Sequence, residues 1–229
     1  SIGDVIITID PPGYTDTIPS NIKVLGGVKT QQGSELIFNM TLDNREILPP
    51  ASQFPSSIGS YMLASPTTGS PSSQFQRGIW FTGDTMGISA ALTLPTLSDT
   101  TEWTYQAWVI DTRDSLNRIY NIGRFDSANR SDSYGQCKGS FPAWNLPGND
   151  WIQPNCPGGI PDITDLNNGY YKVLITLEPR FDQGIAISMP FYLHLFEATI
   201  IPSAFGTVLT LTNTFGIYIP SAVMRLTIN

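Results

Sequence analysis

His194 is the one histidine among 229 residues, and any Ser-His-Asp relay would have to pass through it. It alternates with apolar residues in Phe191-Tyr-Leu-His-Leu-Phe196, the pattern of a structural position on a strand face. A Gly-x-Ser-x-Gly nucleophile turn does not occur. Glycoside hydrolysis needs two carboxylates across a cleft, and the nineteen Asp and Glu residues single out no pair. No phosphate loop or dinucleotide fingerprint is present. The chain therefore reads as a non-enzyme, with no catalytic residue, no cofactor and no metal site. Asp126, Asp132 and Asp150 share one long loop, where oxygen ligands can gather around calcium. Their spacing fits no EF-hand, so solvated acids and Asx-turns are the reading.

Cys137 and Cys156 bracket a segment rich in Gly, Pro and Asn. They read as a disulfide in an oxidising compartment rather than as two buried thiols. Such a bridge would remove roughly 3 kcal/mol of freedom from the unfolded chain. Two Cys and one distant His supply too few ligands for zinc. Trp144 and Trp151 sit in the same loop, where they could stack on a sugar. A satellite core beneath the loop is the plainer role. Two glycosylation sequons occur, Asn39-Met-Thr41 and Asn129-Arg-Ser131. Asn39 falls on the polar face of a strand and Asn129 in the long loop.

Strands must position these residues. Glu35–Leu42 alternates Leu36, Phe38, Met40 and Leu42 against Ile37, Asn39 and Thr41. Residues 86–94 and 103–110 read as strands too. In 170–178, Tyr171, Val173, Ile175 and Leu177 are predicted to face inward, with Lys172, Thr176 and Glu178 outward. Further short strands are expected near 60–64, 77–82, 119–125, 191–199, 207–212, 215–219 and 223–228, with an apolar strand at 4–9. Pro11-Pro-Gly, Gly26-Gly27, Pro49-Pro50, Asn167-Asn-Gly169 and Asp182-Gln-Gly184 mark breaks. Pro50–Ser73 reads as a long surface loop, and 126–168 as the largest irregular insertion.

Many short strands without helical patterns predict an all-β fold: an antiparallel β-sandwich, jelly-roll or Ig-like, with long loops in a single domain. Residues 1–12 form an N-terminal strand segment, and 13–229 the sandwich with its disulfide-stapled loop at about 126–168. Charged residues make up 14% of the chain, against roughly 25% in an ordinary soluble domain. A surface of hydroxyls and amides suits an extracellular or cell-surface protein. A net charge of −7 argues against nucleic acid and anionic lipid as partners. No run is long enough to insert in a membrane. The chain opens on Ser1 rather than Met, which reads as a processed mature terminus.

From about Gly78 to Thr199 the chain resembles the extracytoplasmic anti-sigma-factor-like domain related to the C-terminal domain of anti-sigma-K factors. The residues that carry the resemblance are Gly78-Ile-Trp-Phe81, Leu92-Thr-Leu-Pro-Thr-Leu97, Trp103-Thr-Tyr-Gln-Ala-Trp-Val109, Gly123-Arg-Phe125, Phe141-Pro142, Pro147-Gly-Asn-Asp150 and Val173-Leu-Ile-Thr-Leu-Glu-Pro179. Where the chain reads Trp103-Thr-Tyr-Gln-Ala-Trp-Val109, the family typically has tryptophan, tyrosine, glutamate, glycine, tryptophan, valine. The family's membrane helix and sigma-binding segment have no counterpart in these residues. The resemblance thus implies a β-sandwich-like domain outside the cytoplasm, without sigma-factor regulation.

The expected function is that of a secreted structural subunit, joined to identical copies in an extracellular filament or surface assembly. Asp4, Val5, Ile6, Ile7, Thr8 and Ile9 would leave their own domain and complete a neighbour's sheet, with Pro11-Pro12 as a stiff hinge. The alternative is a monomeric extracytoplasmic sensing or binding module of the anti-sigma-factor-like type, whose ligand face is the Cys137–Cys156 loop.

Overall fold

The computed structural model describes residues 4–11, 13–42, 51–68, 77–98, 101–113, 118–133, 138–151, 165–180, 189–202 and 206–227. Over these the chain is all-β, with two antiparallel sheets in a sandwich-like arrangement. Its strands are β1 (Asp4–Thr8), β2 (Lys23–Gln32), β3 (Glu35–Leu42), β4 (Gly59–Leu63), β5 (Ile79–Trp80) and β6 (Trp103–Asp111). They continue as β7 (Ile119–Phe125), β8 (Gly148–Asn149), β9 (Tyr171–Pro179), β10 (His194–Thr199), β11 (Val208–Asn213) and β12 (Ala222–Thr227). One helical turn, α1 (Phe215–Tyr218), joins β11 to β12.

The larger sheet runs β7-β6-β9-β10-β11-β4-β5-β8. Its end strands β7 and β8 come into contact, so the sheet curls until its edges meet. The period-two pattern explains what lies inside. Trp103, Tyr105, Ala107 and Val109 of β6 face Pro179, Leu177, Ile175 and Val173 of β9 in register. All but Pro179 join Tyr61, Leu63, Ile79, Ile122, Leu195 and Phe196 in one core. Each fully buried large side chain there contributes about 1.5–3 kcal/mol.

The smaller sheet runs β1-β2-β3-β12. Leu36, Phe38 and Met40 of β3 gather with Val24 and Leu25 of β2 in a second cluster. Val5, Ala222, Met224 and Leu226 pack against it from the two edge strands, only partly buried. Ile9 touches both clusters, and its amide donates to the Ile22 carbonyl at 2.9 Å.

Four expectations need correction. Gly26 and Gly27 are no break; they lie inside β2, where a Cβ on Gly27 would stand 2.7 Å from Met40 Cγ. Residues 86–94 form no strand, because the Asp84 carboxylate captures the amides of Met86, Ile88 and Ser89 at 2.7, 3.2 and 2.6 Å. Residues 215–219 contain the turn α1, begun where Asn213 Oδ1 accepts from the Phe215 amide at 3.1 Å. In β9 the predicted outward residues Thr176 and Glu178 are buried. Within the expected loop 50–73, a 3-10 turn at Ala51–Ser56 carries Phe54 into the core, 5.1 Å from the Phe215 ring.

Candidate functional site

The predicted exchange strand forms the edge of the smaller sheet. Asp4, Val5, Ile6 and Ile7 pair with Val28, Gly27, Gly26 and Leu25 of the chain's own β2, and a bulge sets Thr8 opposite Lys23. Not one residue of β1 is fully buried: Val5, Ile6 and Thr8 are half-buried, Asp4 and Ile7 exposed. Its hold on the sheet is mostly the main-chain ladder. Opposite Val5 and Ile6 stand Gly27 and Gly26, and Met40 of β3 takes the space a side chain on Gly27 would need. At the other edge, β12 pairs with β3 from Ala222↔Met40 to Thr227↔Glu35. Its inward residues Ala222, Met224 and Leu226 are half-buried, and Val223, Arg225 and Thr227 are exposed. Among the described residues neither β1 nor β12 has a second strand partner.

His194 opens β10 and lines a groove of about 590 Å³ on the larger sheet, with Arg118, Lys172, Glu197 and Tyr218. Its ring lies 4.1 Å from the Tyr218 ring, and Nδ1 stands 4.0 Å from Glu197 Oε2. Lys172 Nζ reaches the other Glu197 oxygen at 3.3 Å. Burial holds the imidazole pKa below its ordinary 6.5, partly opposed by Glu197. The histidine thus has a structural place, packed between a strand and the turn leading to β12.

The described parts of the long loop, 126–133, 138–151 and 165–168, are held by polar contacts. Asp150 is fully buried. Its carboxylate accepts from Trp80 Nε1 at 2.5 Å, from the Thr67 amide at 2.8 Å and from the Thr67 hydroxyl. Burial pushes its pKa up, against the pull of those donors. Asp132 accepts from the Gly148 amide at 2.8 Å and lies 3.8 Å from Lys138 Nζ. Asp126 pairs with Arg180 at 2.8 Å. Asp132 and Asp150 are structural rather than the solvated groups the sequence implied, while Asp126 stays partly exposed in its ion pair. Trp144 packs edge-on against Trp80 at 5.6 Å in a small separate cluster, as expected of a satellite core, whereas Trp151 is buried in the main core instead.

Cys137 and Cys156 lie outside the described residues, as does Pro12. Asn39 is exposed on the outer face of β3, beside Val28 and Val223 on the adjacent strands. Asn129 is exposed as well, and its side-chain oxygen accepts from the Ser127 hydroxyl at 2.5 Å. The Asp150 network and the place of Gly26-Gly27 inside β2 escaped sequence reasoning. Their signals, an acid next to Trp151 and paired glycines before an alternating strand, are too short to separate from turn chemistry. Among the described residues no helix is long and apolar enough to cross a membrane. Set against known proteins, the chain matches no family model, no curated protein and no solved structure.

Proposed function

We propose that this chain is a structural subunit of an extracellular filament or surface assembly, joined to identical copies by β-strand complementation. One observation carries the reading: β1 is fully laddered to β2 yet buries none of its side chains completely. A strand held in this way can pass to a neighbouring copy and remake the same hydrogen bonds there, a low-cost route to association. A contact from β1 of one copy to β2 of the next is heterologous. If its rotation does not close, it propagates a fibre. The charge-poor composition suits dense packing of acidic subunits outside the cell. On this reading the chain has no catalytic role, no cofactor, no nucleic-acid partner and no membrane-inserted segment.

A second reading rests on the groove around His194, where paired charges and an aromatic face meet. It makes the chain a monomeric extracytoplasmic binding module, in keeping with the resemblance over 78–199. Negative-stain electron microscopy of the native protein beside a variant lacking residues 1–10 separates the two. Filaments that vanish in the variant are the expected result. Discrete particles for both, across a wide concentration range, would transfer the assignment to the binding module.

A further inference from the structure

We infer that the smaller sheet continues from copy to copy, with the free edge of β1 in one subunit paired antiparallel to the free edge of β12 in the next. This rests on the homopolymer reading and names its second contact. The sheet has four strands, all antiparallel, so its two edge strands run in opposite directions. A copy displaced sideways without turning over therefore sets β1 antiparallel to β12. Such an edge-to-edge contact is heterologous and can repeat; among the described residues neither edge has a further strand partner, and a sheet edge is a template for pairing.

The residues on the two edges match in one register. Placing Asp4 opposite Arg225 sets Val5 opposite Met224, Ile6 opposite Val223 and Ile7 opposite Ala222. Val5 and Met224 then lie on the inner face, where both already pack against the Phe38 cluster while only partly buried. Ile7 and Val223 are exposed at 43% and 59%, and the pairing covers both. On the outer face the acid meets the base. Arg225 now lies 3.5 Å from Glu35 of its own subunit, so a neighbour's Asp4 would join an existing ion pair. Opposite charges directly across two strands favour pairing, and like charges oppose it.

Disulfide trapping of the assembled full chain tests this register. Directly opposed residues approach closely enough for a disulfide. An Asp4→Cys/Arg225→Cys variant should form oxidant-dependent, reducible ladders of dimer, trimer and higher species that neither single variant gives. Arg225→Glu should raise the concentration needed for assembly several-fold, and Asp4→Lys/Arg225→Glu should restore it. Filaments that form without the ladder, and with no response to Arg225→Glu, would overturn the β1–β12 contact and leave the filament reading standing. Absence of any assembly by the native chain would sink that reading and this contact together.

Discussion

Replacing Asp150 by alanine tests whether a buried carboxylate holds the long loop to the sheet. The side chain receives the Trp80 indole N–H at 2.5 Å and the Thr67 amide at 2.8 Å. The Thr67 hydroxyl can rotate to another partner, but these two donors cannot. Each buried donor left unsatisfied costs about 1–3 kcal/mol. Removal of the carboxylate also relieves some desolvation, since burial raises its pKa. A net loss of about 3 kcal/mol follows. For a chain of this length that is a fall in Tm of roughly 6–12 °C, read by tryptophan fluorescence in thermal and urea unfolding. Trp80→Phe removes one donor, so the double variant with Asp150→Ala should lose less than the sum of the singles, with a coupling of about 1–2 kcal/mol. A loss below about 1 kcal/mol, or strict additivity, would refute the account of Asp150 as the anchor of this loop.

Gly78→Ala should destabilise severely, by about 3 kcal/mol or more, because its Cβ would meet the Ala64 carbonyl oxygen at 1.9 Å. Gly216→Ala in α1 meets nothing within 4 Å and should be neutral or gain up to about 1 kcal/mol; urea midpoints of the two variants settle both. His194 has its pKa lowered in the fold, so the unfolded chain binds the proton first as pH falls. Its contribution is present above 6.5 and lost below, and the rise in urea midpoint from pH 5 to 7 should be shallower in His194→Phe than in the native chain. Asp84, drawn down to about 2 chiefly by its bond with Ser89, and Asp111, lowered chiefly by Arg113, act on the acid side. Their stabilisation is present above about 4 and should fade towards pH 2, with Asp84→Asn flattening that limb.

The sequence carried the strands that bury one face and lost those whose surroundings decide. Glu35–Leu42 could be read to the residue because Leu36, Phe38 and Met40 stand against exposed Asn39 and Thr41. The inward face of β9, Tyr171, Val173, Ile175 and Leu177, followed the same rule. β2 was hidden because only Val24, Leu25 and Gly27 of its ten residues are buried, and its glycines imitate a turn. Residues 86–94 have strand composition, yet one carboxylate at Asp84 outbids the ladder for three amides. Period-two logic also assumes one wet face. It fails at β9, where Thr176 accepts from Trp108 Nε1 at 2.8 Å and Glu178 from the Phe191 amide at 2.9 Å. Those polar groups are buried because they are paired, and no pattern of hydrophobicity records a pairing partner.

The two terminal strands differ in what releasing them would cost, and this decides which one can serve a neighbour. To free β12 the chain must also loosen α1, whose Phe215 is buried against Phe54 and whose Tyr218 stacks on His194. Those contacts tie β12 to the core of the larger sheet. To free β1 it must give up the β2 ladder and the partly buried packing of Val5 and Ile9; next to it lie the bonds of the Ile9 amide to the Ile22 carbonyl at 2.9 Å and of the Ser20 hydroxyl to the Ile9 carbonyl at 2.7 Å. Net, each such bond is worth about 1 kcal/mol, far less than extracting a buried phenylalanine at about 3–5 kcal/mol. The connection between β1 and β2 is mostly exposed from Gly13 to Pro19, so it can change path without unburying a core. On the proposed strand-complementation reading, β1 is therefore the strand to be released and β12 the edge that stays, and that inequality would set the direction of the polymer.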